Sequence, residues 1–327
     1  MWRWWPRRSP GVASDAAFAL AGKRVFVAGH RGMVGQALLR VLAGEGCEVL
    51  TVSRIRLDLR LQDPTWTWLA RHRPDVVIVA AATVGGIAAN AAKAADFLFD
   101  NLMIEANLIE GARRAGVEKL LMLGSSCIYP RLAGQPITED ALLSGPLEPT
   151  NAAYALAKIA GVKLAAAFRA QHGCDFICAL PCNLYGPGDR FDAETGHVLA
   201  ALILKAHRAR IEGARELVVW GSGAPLREFL HVDDCASALL LLLQRWSSEA
   251  PVNVGSGEEI SVADLARLVC EVVGFGGTIG FDPTRPDGTP RKLLDASRLR
   301  ALGWTPRIGL REGIAATYRW AMENGRL

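Results

Sequence analysis

Arg24-Val25-Phe26-Val27-Ala28-Gly29-His30-Arg31-Gly32-Met33-Val34-Gly35 is the stretch from which the rest of the chain can be read. The apolar run at 25–28 predicts a buried strand, and residues 36–43 a helix. Glycines at 29, 32 and 35 lie between them, in the spacing G-x-x-G-x-x-G. A strand, a glycine turn and a helix together form a variant of the dinucleotide fingerprint. Glycine permits the tight turn and lets backbone approach a pyrophosphate seated on the helix N-terminus. The next predicted strand, 48–52, ends in Ser53-Arg54. A site for NAD usually has an acid there to hold the ribose hydroxyls. This chain has Arg54, with Arg31 nearby in the glycine loop, and two guanidinium groups suit a ribose 2′-phosphate. The expected cofactor is therefore NADP(H). Asp58, in Leu57-Asp58-Leu59, could accept a bond from the adenine amino group.

Working outward, further strands are predicted at 76–80, 119–123 and 176–180, with a long helix at 94–115. Alternating strands and helices imply an α/β fold, a doubly wound parallel Rossmann sheet with ligands at the carboxyl ends of its strands. Ser125 and Cys127 follow such an end. After residue 182 the pattern changes. Residues 184–189 read as a turn, His197 opens a helix and 217–223 read as strand and turn. The expected organisation has three parts: a disordered N-terminal extension over 1–20, an NADP-binding domain over 21–182, and a smaller interleaved α/β substrate domain over 183–327. Segments near 230–255 return to the first domain, with 252–255 as a late strand of the sheet.

Tyr154 and Lys158 stand four residues apart on a predicted helix and so share one face. A free phenol titrates near ~10, and a neighbouring ammonium favours the phenolate. Such a tyrosine can exchange a proton with a carbonyl oxygen while a hydride moves at carbon. Cys174, Cys178 and Cys182 invite a metal reading, but C-x3-C-x3-C is no usual zinc or iron–sulfur spacing. Even spacing on a strand predicts one packed face, and no metal is expected.

The 327 residues are half hydrophobic and about a fifth charged, as a sizeable globular core requires. The net charge is +4, and Arg3, Arg7 and Arg8 against Asp15 supply half of it, so nothing argues for nucleic acid. The aliphatic run 238–243 is too short to span a bilayer. Seven scattered cysteines read as reduced thiols of a cytoplasmic protein.

The fingerprint, Ser125 and Tyr154-x-x-x-Lys158 resemble the extended short-chain dehydrogenase/reductase superfamily, which modifies nucleotide sugars. More narrowly, Gly29-His-Arg-Gly-Met-Val-Gly35, Gly124-Ser-Ser-Cys-Ile-Tyr-Pro130, Glu148-Pro-Thr-Asn151, Asn183-Leu-Tyr-Gly-Pro187, Val219-Trp-Gly-Ser-Gly223, Arg227-Glu-Phe-Leu-His-Val-Asp-Asp234 and Pro286-Asp-Gly-Thr-Pro-Arg-Lys292 resemble the GDP-L-fucose synthase family. That resemblance implies 3,5-epimerisation of GDP-4-keto-6-deoxy-D-mannose, then NADPH-dependent 4-reduction. It makes Ser125, Tyr154 and Lys158 the reductase triad, and Cys127 and His197 the epimerase acid–base pair. Gly29, Arg31, Gly32, Met33, Val34, Gly35, Arg54, Asp58 and Leu59 would hold the cofactor, with Tyr154, Lys158 and His197. Asn183, Lys205, Trp220, Arg227 and Lys292 would hold the GDP-sugar. Lys205 stands where the family implies an arginine, which keeps the charge and loses the bidentate fork. A homodimer through the 94–115 and 153–171 helices is also implied.

Overall fold

A computed structural model of the chain describes residues 17–327. Its strands run in order β1 (Arg24–Ala28), β2 (Glu48–Leu50), β3 (Val76–Val79), β4 (Lys119–Leu123), β5 (Asp175–Pro181), β6 (Asn183–Tyr185), β7 (Glu216–Trp220), β8 (Leu226–His231), β9 (Val252–Val254), β10 (Glu259–Ser261), β11 (Thr278–Asp282) and β12 (Arg291–Lys292). The helices are α1 (Met33–Leu42), α2 (Gln62–His72), α3 (Ile87–Ala92), α4 (Ala94–Arg114), α5 (Ala152–His172), α6 (Val198–Ile211), α7 (Val232–Arg245), α8 (Val262–Val273), α9 (Ser297–Ala301) and α10 (Leu310–Glu323). Among the described residues, no helix is long and apolar enough to cross a membrane.

Six strands form one parallel sheet in the order β2-β1-β3-β4-β5-β9. β3 and β4 are buried along their whole length. Apolar runs without alternation are what a sheet covered on both faces needs. The chain reverses its direction of winding between β1 and β3, and ligands bind at such switch points, outside the carboxyl ends of the strands. The glycine loop emerges there. Gly29 has φ +90°, and a Cβ on it would meet the backbone N of Ala81 at 2.6 Å. A Cβ on Gly35 would run into the carbonyl oxygen of Gly29. Gly32, the N-cap of α1, differs: a Cβ there would find only that same oxygen, 3.4 Å away, so its outer side is open.

A second layer holds β8 between β10 and β12, with β6 also on β8, and a separate pair β7–β11. Leu199, Ile203, Leu217, Leu265, Val269 and Ile314 centre a core of their own there. β9 pairs with β5, so the late strand returns to the large sheet as the sequence suggested. Its Asn253 is fully buried and fully used. Its side-chain amide donates to the carbonyls of Ile137 (2.9 Å) and Asp295 (3.1 Å), and its Oδ1 accepts from the Tyr129 hydroxyl at 2.6 Å. Leu294, Leu299 and Trp304 also pack into the first core, a second return that hydropathy did not signal.

Three expectations change. Residues 184–185 are not turn but part of β6, because Asn183, Leu184 and Tyr185 pair in parallel with Phe229, Leu230 and His231. The strand predicted over 48–52 stops at Leu50. The fold also begins before residue 21. The Phe18 N–H donates to the Gln244 carbonyl, the Lys23 and Lys119 ammonium groups lie over its ring, and Leu20 is buried in the core. The rest of the expected extension, 1–16, lies outside the described residues.

Candidate active site

Ser125 and Cys127 stand where β4 ends. Ser125 caps a short 3-10 turn, its Oγ accepting from the Cys127 N–H at 3.2 Å. The turn is pinned from below by Tyr129, through its bond to Asn253 on β9. Tyr154, on the first turn of α5, lies near enough to Ser125 for that side chain to bear on its phenol. One turn on, Lys158 is buried, and its Nζ donates to the Leu123 carbonyl at the end of β4, at 2.9 Å. Its counter-ion is Glu105 of α4, with Oε1 2.9 Å away and equally buried. A Cβ on Gly161 would strike that carboxylate, so the glycine makes its space.

This arrangement corrects one expectation. Lys158 was expected to draw the Tyr154 phenol toward the phenolate. Burial instead pushes Tyr154 above the ordinary phenol range, with Cys127 and Glu105 adding to the rise and the Ser125 side chain opposing it. The Lys158 charge is already balanced by Glu105, 2.9 Å away, whereas its Nζ is 5.9 Å from the centre of the Tyr154 ring. Tyr154 therefore stands as a protonated acid.

His197 is the N-cap of α6. The loop before it docks on the one after β3: the Gly86 N–H donates to the Thr195 carbonyl at 2.9 Å, and a Cβ on Gly86 would collide with the Gly196 carbonyl. The Asp189 carboxylate, 3.8 Å from Nδ1, raises the imidazole above its ordinary range, against the opposing effect of burial. For Cys127, burial pushes the thiol up, but the Lys292 ammonium, the Ser125 side chain and His197 outweigh it, and the net shift is downward. Lys292 Nζ lies 3.5 Å from Sγ, donating to it. Cys127 and Lys292 line one small cavity with Glu148, Asn151 and Thr289.

The remaining predicted residues fall into two groups. Arg31 and Arg54 are exposed beside the glycine loop and after β2. Both oxygens of Asp58 are engaged by Arg60, which reaches on to Asp100 of α4, so Asp58 ties down the loop after β2. Leu59 packs against the first core. On the second layer, β12 places Lys292 in register with Arg227. Arg227 donates to the Asp287 carbonyl at 3.0 Å, and the Asn183 amide to the Glu228 carbonyl at 2.7 Å. Lys205 lies over the Trp220 ring, 4.8 Å from its centre. Arg285 also lies over that ring, at 4.5 Å, and burial and Arg285 both lower the Lys205 ammonium. Sequence reasoning did not single out Glu105, Asp189 or Arg285. Glu105 had a signal: Phe97, Asn101, Glu105, Leu108 and Ala112 keep helical spacing along one buried stripe, where a carboxylate needs a partner.

The Lys158–Glu105 pair should show itself in stability. Removing one partner of a buried pair leaves the other charge uncompensated, at about 3–5 kcal/mol. Glu105→Leu should cost that much in urea unfolding, and Glu105→Leu with Lys158→Met should recover most of it. If the double variant is as unstable as the sum of both singles, the two charges do not depend on each other.

Residues 25–255 match the NAD dependent epimerase/dehydratase family. The chain is 55% identical to a GDP-L-fucose synthase of Sinorhizobium fredii, over 94% of this chain and 98% of that one. It is 48% identical to the GDP-L-fucose synthase of Escherichia coli, over 93% and 98%. Among solved structures, a GDP-L-fucose synthetase from Naegleria fowleri bound to NADP superposes with a TM-score of 0.88 at 30% identity, covering 97% of this chain and all of that one. The chain thus belongs to the NAD dependent epimerase/dehydratase family and, within it, to the GDP-L-fucose synthases.

Proposed function

We propose that this chain converts GDP-4-keto-6-deoxy-D-mannose to GDP-L-fucose, by epimerisation at carbons 3 and 5 followed by NADPH-dependent reduction at carbon 4. The single observation that carries the reading is the meeting of two opposed groups around Ser125: a phenol held protonated and a thiol drawn toward its anion, with Lys292 donating to its sulfur at 3.5 Å. Groups whose surroundings push them apart in this way mark acid and base roles.

The glycine loop fits the cofactor. Gly29 and Gly35 are closed against the backbone, while Gly32 leaves the N-terminus of α1 open to a pyrophosphate. Gly29, Gly32, Met33, Val34 and Gly35 would hold the phosphates, and Arg31, with Arg54, the 2′-phosphate. When bound, NADPH supplies the hydride for carbon 4. The chain's own residues do the rest. A ketone at carbon 4 acidifies the hydrogens on carbons 3 and 5. Ser125 and Tyr154 donate to the carbonyl oxygen and stabilise the enolate as it forms. Cys127 takes the proton from one face and His197 returns one to the other. Tyr154 then protonates the oxygen left at carbon 4. Arg227, Lys205 and Trp220, with Asn183, are assigned to the GDP portion, and Arg285 joins them through Trp220.

We also place the protein in the cytoplasm, where its seven cysteines, all free, stay reduced, and in a homodimer. Phe99 of α4 is 61% exposed and Leu156 of α5 49%, on helices that pack against each other. A second copy laid on this face would form a four-helix contact. Sedimentation should give the mass of a dimer at micromolar concentration; a monomer alone would remove that part of the proposal.

The two chemical steps separate by mutation. Cys127→Ser replaces the thiol by an alcohol far too weak as a base, so epimerisation should fall by several decades. Slow hydride transfer to the unepimerised ketosugar should survive. Tyr154→Phe should abolish NADPH oxidation, while solvent deuterium still enters carbons 3 and 5 at a reduced rate. Deuterium incorporation and NADPH consumption, followed in parallel, decide the matter. Exchange at the parent's rate in Cys127→Ser would show that the thiol is not the base.

Arg31→Ala tests the cofactor assignment. Charge-assisted bonds to phosphate are worth roughly 1.5–3 kcal/mol, so about one to two decades of preference for NADPH over NADH should vanish. An unchanged ratio of kcat/KM for the two cofactors would clear Arg31 of this role.

A further inference from the structure

Three lysines are buried among the described residues: Lys119, Lys158 and Lys292. A buried ammonium needs an anion nearby. Lys119 has Asp175 at 2.9 Å, and Lys158 has Glu105 at 2.9 Å. Lys292 is paired with no carboxylate among the described residues; its Nζ donates to the sulfur of Cys127 at 3.5 Å. Backbone pairing fixes its place, because Lys292, on the edge strand β12, is held in register with Arg227 of the central strand β8.

We propose that Lys292 is the counter-ion of Cys127 and keeps it as a thiolate before substrate arrives, rather than serving only to hold the GDP-sugar. It is a positioning residue that acts through Cys127. The inference rests on the reading of Cys127 as the epimerase base and names what makes that base competent. The other groups facing the sulfur favour the same state or leave it alone. His197, before α6, and Arg227, on β8, bring positive charge. The Ser125 side chain also favours the anion, and Tyr154, on α5, is held protonated by burial. Glu148, in the same cavity, is the one carboxylate there, and Arg131 and Thr150 engage it.

The proton balance follows. With the thiolate preformed, the bond from carbon 3 or 5 to hydrogen breaks, an S–H bond forms, and the electron pair moves to the ketone oxygen. Protonated His197 then gives its proton to the opposite face of that carbon, and the enolate closes to the ketone. The site is left with a neutral thiol and a neutral imidazole. Before the second epimerisation the thiol must lose that proton, and His197 must gain one. The histidine, with 48% of its side chain exposed, can take it from solvent.

The test needs no turnover. Thiolate absorbance near 240 nm is followed against pH for the parent and for Cys127→Ser, and the difference isolates Cys127 from the other six thiols. The parent's Cys127 should titrate well below the ~8.5 of a free thiol. Lys292→Met, similar in volume and uncharged, should raise that midpoint and slow iodoacetamide alkylation of Cys127 at pH 7 by about tenfold or more, a tenfold loss of thiolate being one pH unit. Lys292→Arg should keep the low midpoint. A parent midpoint at or above ~8.5 overturns the proposal even if Lys292→Met fails to fold. So does an unchanged midpoint in a folded Lys292→Met, which would return Lys292 to a simple substrate contact. Neither result bears on whether the protein makes GDP-L-fucose, which product analysis decides separately.

Discussion

The structure turns on one buried ammonium. Lys158 joins three elements: it rises from α5, donates to the last carbonyl of β4 and pairs with Glu105 of α4. Taking two charges out of water is costly, and their attraction offsets that cost only when the geometry is close and the remaining protons are bonded. Here the first condition holds, at 2.9 Å on each side of the ammonium, but the second only in part, because the Glu105 carboxylate oxygens are buried without a hydrogen-bond partner and burial raises that carboxyl. The position of Ser125 at the end of β4, and that of Tyr154 one turn before Lys158, follow from that junction. The pair also fixes the character of the phenol. Because Glu105 takes up the Lys158 charge, only the Ser125 side chain works against the burial of Tyr154, and the residue is set up to give a proton rather than to take one.

What the sequence disclosed was local. The glycine loop is legible because its constraint is met within seven residues: Gly29 must adopt φ +90°, and Gly35 must pass the carbonyl of Gly29. β3 and β4 are legible because full burial leaves an unbroken apolar run. Tyr154 and Lys158 share a helix face by arithmetic alone. What was not legible depends on contacts across the chain. Asn253 reads as any polar residue in a short strand, yet it joins Tyr129, Ile137 and Asp295. Leu184 and Tyr185 read as turn because the strand character of β6 comes from pairing with β8, not from its own three residues. Asp287 lies in an exposed loop, and its carboxylate serves the backbone and hydroxyl of Ser222 while its carbonyl serves Arg227.

The Tyr154 correction has the same origin. A tyrosine with a lysine one turn away suggests a depressed phenol only while the lysine's other neighbours are unknown. Glu105 lies 53 positions upstream, on a different helix, and no spacing rule connects the two. The sign of an electrostatic effect is a property of the whole site, and pair motifs give only one of its contributions.

The two chemical steps are built differently into the fold. Ser125, Tyr154, Lys158 and Glu105 all come from elements of the large sheet's layer, where Lys158 is tied directly to Glu105 and to the end of β4. The pair proposed for epimerisation is divided. Cys127 belongs to that layer, whereas Lys292 arrives on β12 and His197 on the loop before α6, both in the part of the chain that builds the second layer. Loosening the second layer would therefore separate Cys127 from Lys292 and from His197 while leaving Ser125, Tyr154 and Lys158 in place. Reduction of an unepimerised ketosugar is then the expected fault of a partly opened molecule, and packing that seats β12 against β8 guards the order of the two steps as much as it holds the substrate.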